Sequence, residues 1–252
     1  MKLIDNQKTV DHVFALVYGA SGTGKTDFIG QLGGLGPTLV IDVDQGSMTL
    51  RTSPRVRPFL DNLTVVSFDR FRDLDDAYKH IQKNDPAAWN KLLGQEGVIK
   101  EPFQWVVWDS WTELQWQLMQ KIRENAGIAQ SALDFRKNIE IQHWGMMTDL
   151  NKLAIQSLRL LPINQVFVML EAMSKDEVSG AIFGGPAIHG KMVQEMPGYF
   201  DIVIHTSSDL SGKYIASTKP KGRWVGKTRL GEGKEIANPS PRDLLVPKDV
   251  KN

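Results

Sequence analysis

The chain has 252 residues, 41% hydrophobic and 23% charged, with no cysteine; this excludes a low-complexity or disordered chain and any disulfide or thiolate-metal framework. Thirty basic and 29 acidic side chains leave a formal charge of +1, so a polyanion would have to be held by a local patch rather than a global field. The charged N-terminal stretch lacks the apolar core of a signal peptide, and no apolar run approaches the roughly 20 residues that span a bilayer, which predicts a soluble, cytoplasmic protein with no membrane partner.

In chain order, Val13–Tyr18 is a short, bulky apolar run that predicts a buried strand, ended by a glycine-rich turn. A helix is predicted from Lys25 to Leu32, stopped by Gly33–Pro37. Buried strands follow at Thr38–Val43 and Leu63–Phe68, then a helix at Asp73–Gln82 and a polar stretch with Asn84, Asp85 and Pro86. Gln104–Trp108 reads as another strand. The helix from near Ser110 carries Trp111, Leu114, Leu118, Met119 and Ile122 on one stripe. A long helix is predicted at Ile139–Leu160, strands at Gln165–Leu170 and Ile202–His205, and a late hairpin or edge pair from Tyr214–Ser217 and Arg223–Val225. Apolar strands alternating with helices predict an α/β fold, a mostly parallel sheet covered on both faces, with the late strands extending its edge. One domain is expected over 1–237, with an irregular C-terminal tail over 238–252, where Pro239, Pro241 and Pro247 cluster.

Gly19-Ala20-Ser21-Gly22-Thr23-Gly24-Lys25-Thr26 fits G-x-x-x-x-G-K-[ST] and lies between a predicted strand and a predicted helix. Glycines let backbone N–H groups turn inward around phosphate oxygens, and the helix N-terminus adds its partial positive charge. Lys25 supplies a point charge to the β- and γ-phosphates, and Thr26 a hydroxyl for Mg²⁺. These residues predict a nucleotide site, with a plain glycine-rich turn as the alternative. Asp109 ends the apolar strand WVVWD and is the expected second Mg²⁺ partner; the competing role is to cap the helix that follows, which Ser110 could do alone. Because Ser110 rather than a glutamate follows Asp109, a water-activating carboxylate must come from elsewhere. Asp44, after the strand TLVIDV, is the candidate, with Asp42 as its competitor and a plain polar turn as the alternative.

These residues together resemble a RecA-like P-loop core, and specifically the phage-type, RecA-related single-strand annealing ATPases. The resemblance spans about 13–231 and rests on GASGTGKT, LVIDVDQG, WVVWDSWTEL, NQVFVMLE, GPAIHGKMVQEMPGYFDIVIHT and the late VGKTRLG. It implies an ATPase acting on single-stranded DNA in homologous recombination, placed in the host cytoplasm if phage-encoded, assembled as a ring or filament, with a single-strand-binding protein as a further partner. It makes Asp44 the group that activates water and Glu171, ending QVFVML, the sensor of the γ-phosphate. Lys227 and Arg229 resemble the K-x-R-x-G element that reaches from one subunit into a neighbour's nucleotide; a basic edge strand would use the same residues. The resemblance also gives the glycine-rich segment 173–190 to DNA, for which glycine flexibility is the alternative, and 125–138, with Arg136 and Lys137, is a second candidate DNA-facing stretch. Lys213, Lys219, Lys221, Arg223, Lys227, Arg229 and Lys234 with the interleaved Trp224 could track a phosphate backbone, or form a solvated face. The alternative function is a nucleotide-switched assembly module with slow or no hydrolysis and a protein partner. The five histidines have no zinc spacing, and Trp105, Trp108, Trp111 and Trp116 are expected in the core.

Overall fold

A computed structural model describes residues 12–68, 73–127, 139–175 and 180–247. Its elements run β1 (Phe14–Gly19), α1 (Lys25–Gly30), β2 (Thr38–Asp42), α2 (Met48–Thr52), β3 (Leu63–Ser67), α3 (Asp73–Lys83), α4 (Pro86–Leu93), β4 (Trp105–Asp109), α5 (Trp111–Asn125) and α6 (Ile141–Arg159). They continue with β5 (Asn164–Lys175), β6 (Ile182–Pro186), α7 (Met192–Tyr199), β7 (Ile202–Ser208), β8 (Tyr214–Ser217), β9 (Lys227–Thr228), β10 (Glu235–Ala237) and α8 (Pro241–Leu245).

The sheet order is β10-β8-β7-β1-β5-β4-β2-β3, with β6 on β5 and β9 on β7. Pairings among β7, β1, β5, β4, β2 and β3 are all parallel, and β8, β9 and β10 are antiparallel additions. This is a mixed α/β fold built on a mostly parallel sheet, with extra strands at the C-terminal edge. Alternate residues of each central strand enter different cores. Leu16, Tyr18, Leu39, Ile41, Trp108 and Phe167 pack in the layer shared with α5 and α6. Ala15, Val17, Val40, Val107 and Val166 pack on the other face, against Phe28 and Ile29 of α1. Strands buried on both sides must be apolar throughout, which is why they were visible as continuous runs.

Several expectations are corrected. The polar stretch proves to start a helix not expected from the sequence: Asp85 accepts from the Ala87 backbone N–H, and Pro86 opens α4. Arg223–Val225 forms no strand with β8, which instead pairs with β7 and β10. The chain after 237 is not irregular as far as 245. Ser240 and Asp243 cap α8 reciprocally, and its Leu244 and Leu245 are buried beside α1's layer. Arg55 ties that segment down, pairing with Asp27 of α1 at 2.8 Å and donating to the Asn238 and Pro239 carbonyls. Trp105, Trp108 and Trp111 are buried, but Trp116 is exposed. Of the segments given to DNA, residues 128–138 and 176–179 lie outside those described. No helix among the described residues is long and apolar enough to cross a membrane.

Candidate active site

The carboxyl ends of β1, β2, β4, β5 and β7 meet around the Gly19–Thr26 loop. The loop leaves β1 at Gly19 and re-enters regular structure at α1, with Gly22 and Gly24 at φ 77° and 82°. At Gly24 a side chain is barred twice, by the left-handed backbone and by the Tyr214 ring, which a Cβ would meet at 2.5 Å. Thr23 fastens the loop from below, its Oγ1 2.8 Å from both the Ala20 carbonyl and Thr206 Oγ1 of β7. Lys25 Nζ donates to the Gly19 and Ala20 carbonyls at 2.9 and 2.7 Å, folded over the loop where phosphate oxygens would compete for it. Burial holds its pKa below the ordinary lysine value, opposed by the charges of Asp109, Glu171 and Asp44.

β5 separates β1 from β4, yet the first turn of α1 reaches across it. Thr26 Oγ1 donates to Asp109 Oδ2 at 3.3 Å. Ser110, not Asp109, caps α5 by accepting from the Glu113 N–H, which leaves the Asp109 carboxylate facing Thr26. Asp109 is 5% exposed. Burial, then the charge of Asp44, push its pKa up to about 7 from the ordinary 3.8, with Thr26 and Lys25 pulling the other way. A buried carboxylate that resists ionisation beside a hydroxyl is a donor set short of positive charge, and a hard divalent cation fits it.

Asp42 and Asp44 differ in burial and in hydrogen bonding. Asp42 ends β2 opposite Asp109, is buried, and accepts from the backbone N–H groups of Gly46 and Ser47 at 3.0 and 3.2 Å. It builds the turn. Asp44 is exposed on that turn, accepts from the same Gly46 N–H at 3.2 Å, and has its pKa raised by partial desolvation and by Asp42. Its charge acts on both Lys25 and Asp109. Glu113, unnoticed in the sequence, stands in the first turn of α5; partial desolvation and Asp44 raise its pKa too. The S-x-x-E spacing from Ser110 was the available signal.

Glu171 lies one position beyond the Gly19–Leu170 register of β1 with β5, close enough for its charge to act on Lys25. Its Oε2 is 2.9 Å from Nε2 of His205, a partner from β7 that no sequence motif indicated. Lys227 and Arg229 are not brought to this site. β9 pairs with Ile202–Val203, whereas Gly19 pairs with Thr206, four residues and about 13 Å further along β7. Lys227 Nζ donates to the Phe200 and Pro197 carbonyls, and Arg229 pairs with Asp201 at 2.6 Å, beside Arg159. Neither can serve its own subunit's phosphate loop from there. Trp224 is also engaged, its indole stacked on the His205 imidazole at 4.7 Å. No cluster of three or more histidine, aspartate or glutamate ligands for a metal occurs among the described residues.

The AAA domain family matches residues 12–230. That is most of the chain, and the chain belongs to this family. No curated protein matches it significantly. Among solved structures, "Crystal structure of the RadB recombinase" aligns over 89% of this chain and 86% of that one, with 14% identity and a TM-score of 0.47.

Proposed function

We propose that this AAA-family chain is an Mg²⁺-dependent, ATP-hydrolysing RecA-like protein that acts on single-stranded DNA in phage-type homologous recombination, by annealing. The observation that carries the ATP reading is the convergence of Lys25, Thr26, Asp109 and an exposed Asp44 on one glycine-rich loop. Lys25 and the loop amides hold the β- and γ-phosphates. Thr26 and Asp109 are the residues that would hold Mg²⁺, which would offset the charge of the phosphates. Asp44 orients the attacking water in line with the bond to be broken and accepts its proton.

Support for an oligomer comes from Lys227 and Arg229. They lie too far from their own loop to act in cis, and the Arg229 side chain is 53% exposed. A ring or filament that sets this edge against a neighbour's loop would give Arg229 the planar, bidentate contact with phosphate that such sites use. Support for DNA comes from the β5–β6 hairpin, where Met173, Ile182 and Phe183 are exposed and Arg223 lies against Met173. Bases stack on such surfaces while cations track the backbone. The test is binding of a fluorescent single-stranded oligonucleotide across a salt series, with and without ATP. The reading requires affinity that rises with ATP and falls steeply with salt; affinity indifferent to both would refute it.

One observation favours a second reading, a nucleotide-switched assembly module with slow or no hydrolysis and a protein partner. Much of the basic run is already engaged within the chain: Lys221 with Glu235, Lys234 with the Asp243 carbonyl, Lys227 with carbonyls and Arg229 with Asp201. That leaves less charge for a DNA backbone, and the same oligonucleotide experiment separates the two.

A further inference from the structure

Glu171 is an unexpected neighbour for a triphosphate. A bare carboxylate beside the γ-phosphate repels it. Here the carboxylate is not bare. Nε2 of His205 lies 2.9 Å from it, and because a carboxylate only accepts, that nitrogen carries the hydrogen. His205 is buried and held on two sides, by Trp224 stacked at 4.7 Å and 12°, and by the Tyr18 ring at 5.1 Å. Tyr18 is itself fixed, its hydroxyl donating to the Val225 carbonyl and accepting from the Val225 N–H. The ionisable groups facing this pair are Tyr18 from β1, kept protonated by burial, and Lys25 from α1, whose charge interacts with both Glu171 and Asp109.

Resting on the ATP reading above, we propose that His205 is the positioning residue that makes Glu171 usable as a γ-phosphate sensor. It holds the carboxylate by hydrogen bond and supplies the positive charge that cancels it when a triphosphate arrives. With hydrogen on Nε2 alone the pair carries −1; with a second proton, taken from water onto Nδ1, it carries zero. The added negative charge of the γ-phosphate favours the second state, and ADP, one phosphate short, favours it less. The event does not stay local. Trp224 rides on the same imidazole, packs over Gly184 of β6 so closely that a Cβ there would overlap the indole, and belongs to the segment that leads into Lys227 and Arg229. The Gly184 N–H also donates to the Arg223 carbonyl at 2.9 Å. Phosphate state at Glu171 is thus connected, through one imidazole, to both the hairpin and the basic edge.

The test compares ATP and ADP affinities, by calorimetry with Mg²⁺ at pH 7, for wild type, His205→Gln, Glu171→Gln and the double variant. Glutamine keeps a donor for Glu171 but cannot take up a proton. His205→Gln should bind ADP like wild type and ATP about tenfold more weakly, the scale of one pKa unit of interaction. Adding Glu171→Gln should restore the ATP-to-ADP ratio, since no charge remains to be cancelled; a purely structural histidine would weaken both nucleotides and would not be rescued. An unchanged ratio in His205→Gln, or a fall that Glu171→Gln does not repair, overturns the proposal. Wild type alone gives a second measurement if a variant fails to fold: heats in buffers of different ionisation enthalpy should show more proton uptake with ATP than with ADP, and equal uptake overturns the inference. Wild type that binds neither nucleotide overturns the ATP reading itself, whereas binding of both with a ratio indifferent to His205 overturns only the sensor.

Discussion

Replacing Asp109 with asparagine should stabilise the metal-free protein at neutral and higher pH while ruining its site. The unfolded chain ionises Asp109 at its ordinary value near 3.8, whereas burial and Asp44 push the folded value up to about 7. Between those values the folded state binds the extra proton, so stability is greatest at low pH and is lost as pH rises toward 7. From pH 5 to 7 that is two pH units at 1.36 kcal/mol each, a loss of about 3 kcal/mol by pH 8 that wild type suffers and Asp109→Asn does not. The amide keeps the side chain's shape and an oxygen to accept from Thr26, now 3.3 Å away. Urea unfolding of both proteins at pH 5 and pH 8, without divalent ions, measures the gap. The variant should gain on wild type by about 2–3 kcal/mol across that interval, and adding Mg²⁺ with nucleotide should stabilise wild type but not the variant. Parallel stability profiles for the two proteins would refute the argument that Asp109 is an uncompensated buried carboxylate awaiting a cation.

Other substitutions test the remaining roles. Lys25→Ala should remove most ATP affinity, because loop amides cannot replace a charge on the β- and γ-phosphates; wild-type-like binding in an equilibrium titration would discard the site. Asp44→Asn should bind ATP normally but hydrolyse it slowly in a phosphate-release assay, whereas Asp42→Asn should lower the melting temperature, since Asp42 holds the Gly46 and Ser47 N–H groups. If Asp42→Asn melts like wild type and abolishes turnover, the two roles are reversed. Arg229→Ala should leave ATP affinity within a few-fold yet reduce turnover by about 10³-fold, the scale of arginine fingers. Mixing it with Asp44→Asn should restore activity, because a mixed interface pairs an intact Asp44 with an intact Arg229; no restoration, in a concentration range where subunits demonstrably associate, returns Arg229 to its own Asp201.

What the sequence disclosed followed from how local each signal is. β1, β2, β4 and the first half of β5 are buried on both faces, so their apolar runs announced them, and the loop's glycines and Lys25 sit in one continuous motif. The difference between Asp42 and Asp44 was illegible because it depends on a turn in which the buried carboxylate takes two backbone N–H groups and its exposed neighbour shares one of them. His205 was illegible for a different reason. It meets Glu171 only because β5 and β7 flank the same strand, a pairing over 34 residues that leaves no spacing rule in the chain. The irregular tail was misjudged through its prolines, since Pro241 occupies the first turn of α8, where proline is favoured rather than disruptive.

The strand order also dictates when the site can come into being. β1 is flanked on both sides by strands far along the chain: Val13 bonds to Asn164 across 151 residues, Thr23 to Thr206 across 183, and Tyr18 to Val225 across 207. Until β5 and β7 are available, β1 is an apolar ribbon with two open edges, and its glycine-rich loop has no floor. Closing such long loops costs entropy before any contact repays it, which slows folding and prolongs exposure of the strand. During synthesis the β2–β3 pair can form early, since its two strands lie close in the chain. The phosphate loop, by contrast, precedes nearly everything that shapes it and is completed among the last. Nucleotide binding is therefore a late reporter of folding in this chain, and a variant that binds ATP must already have assembled its central sheet through β7.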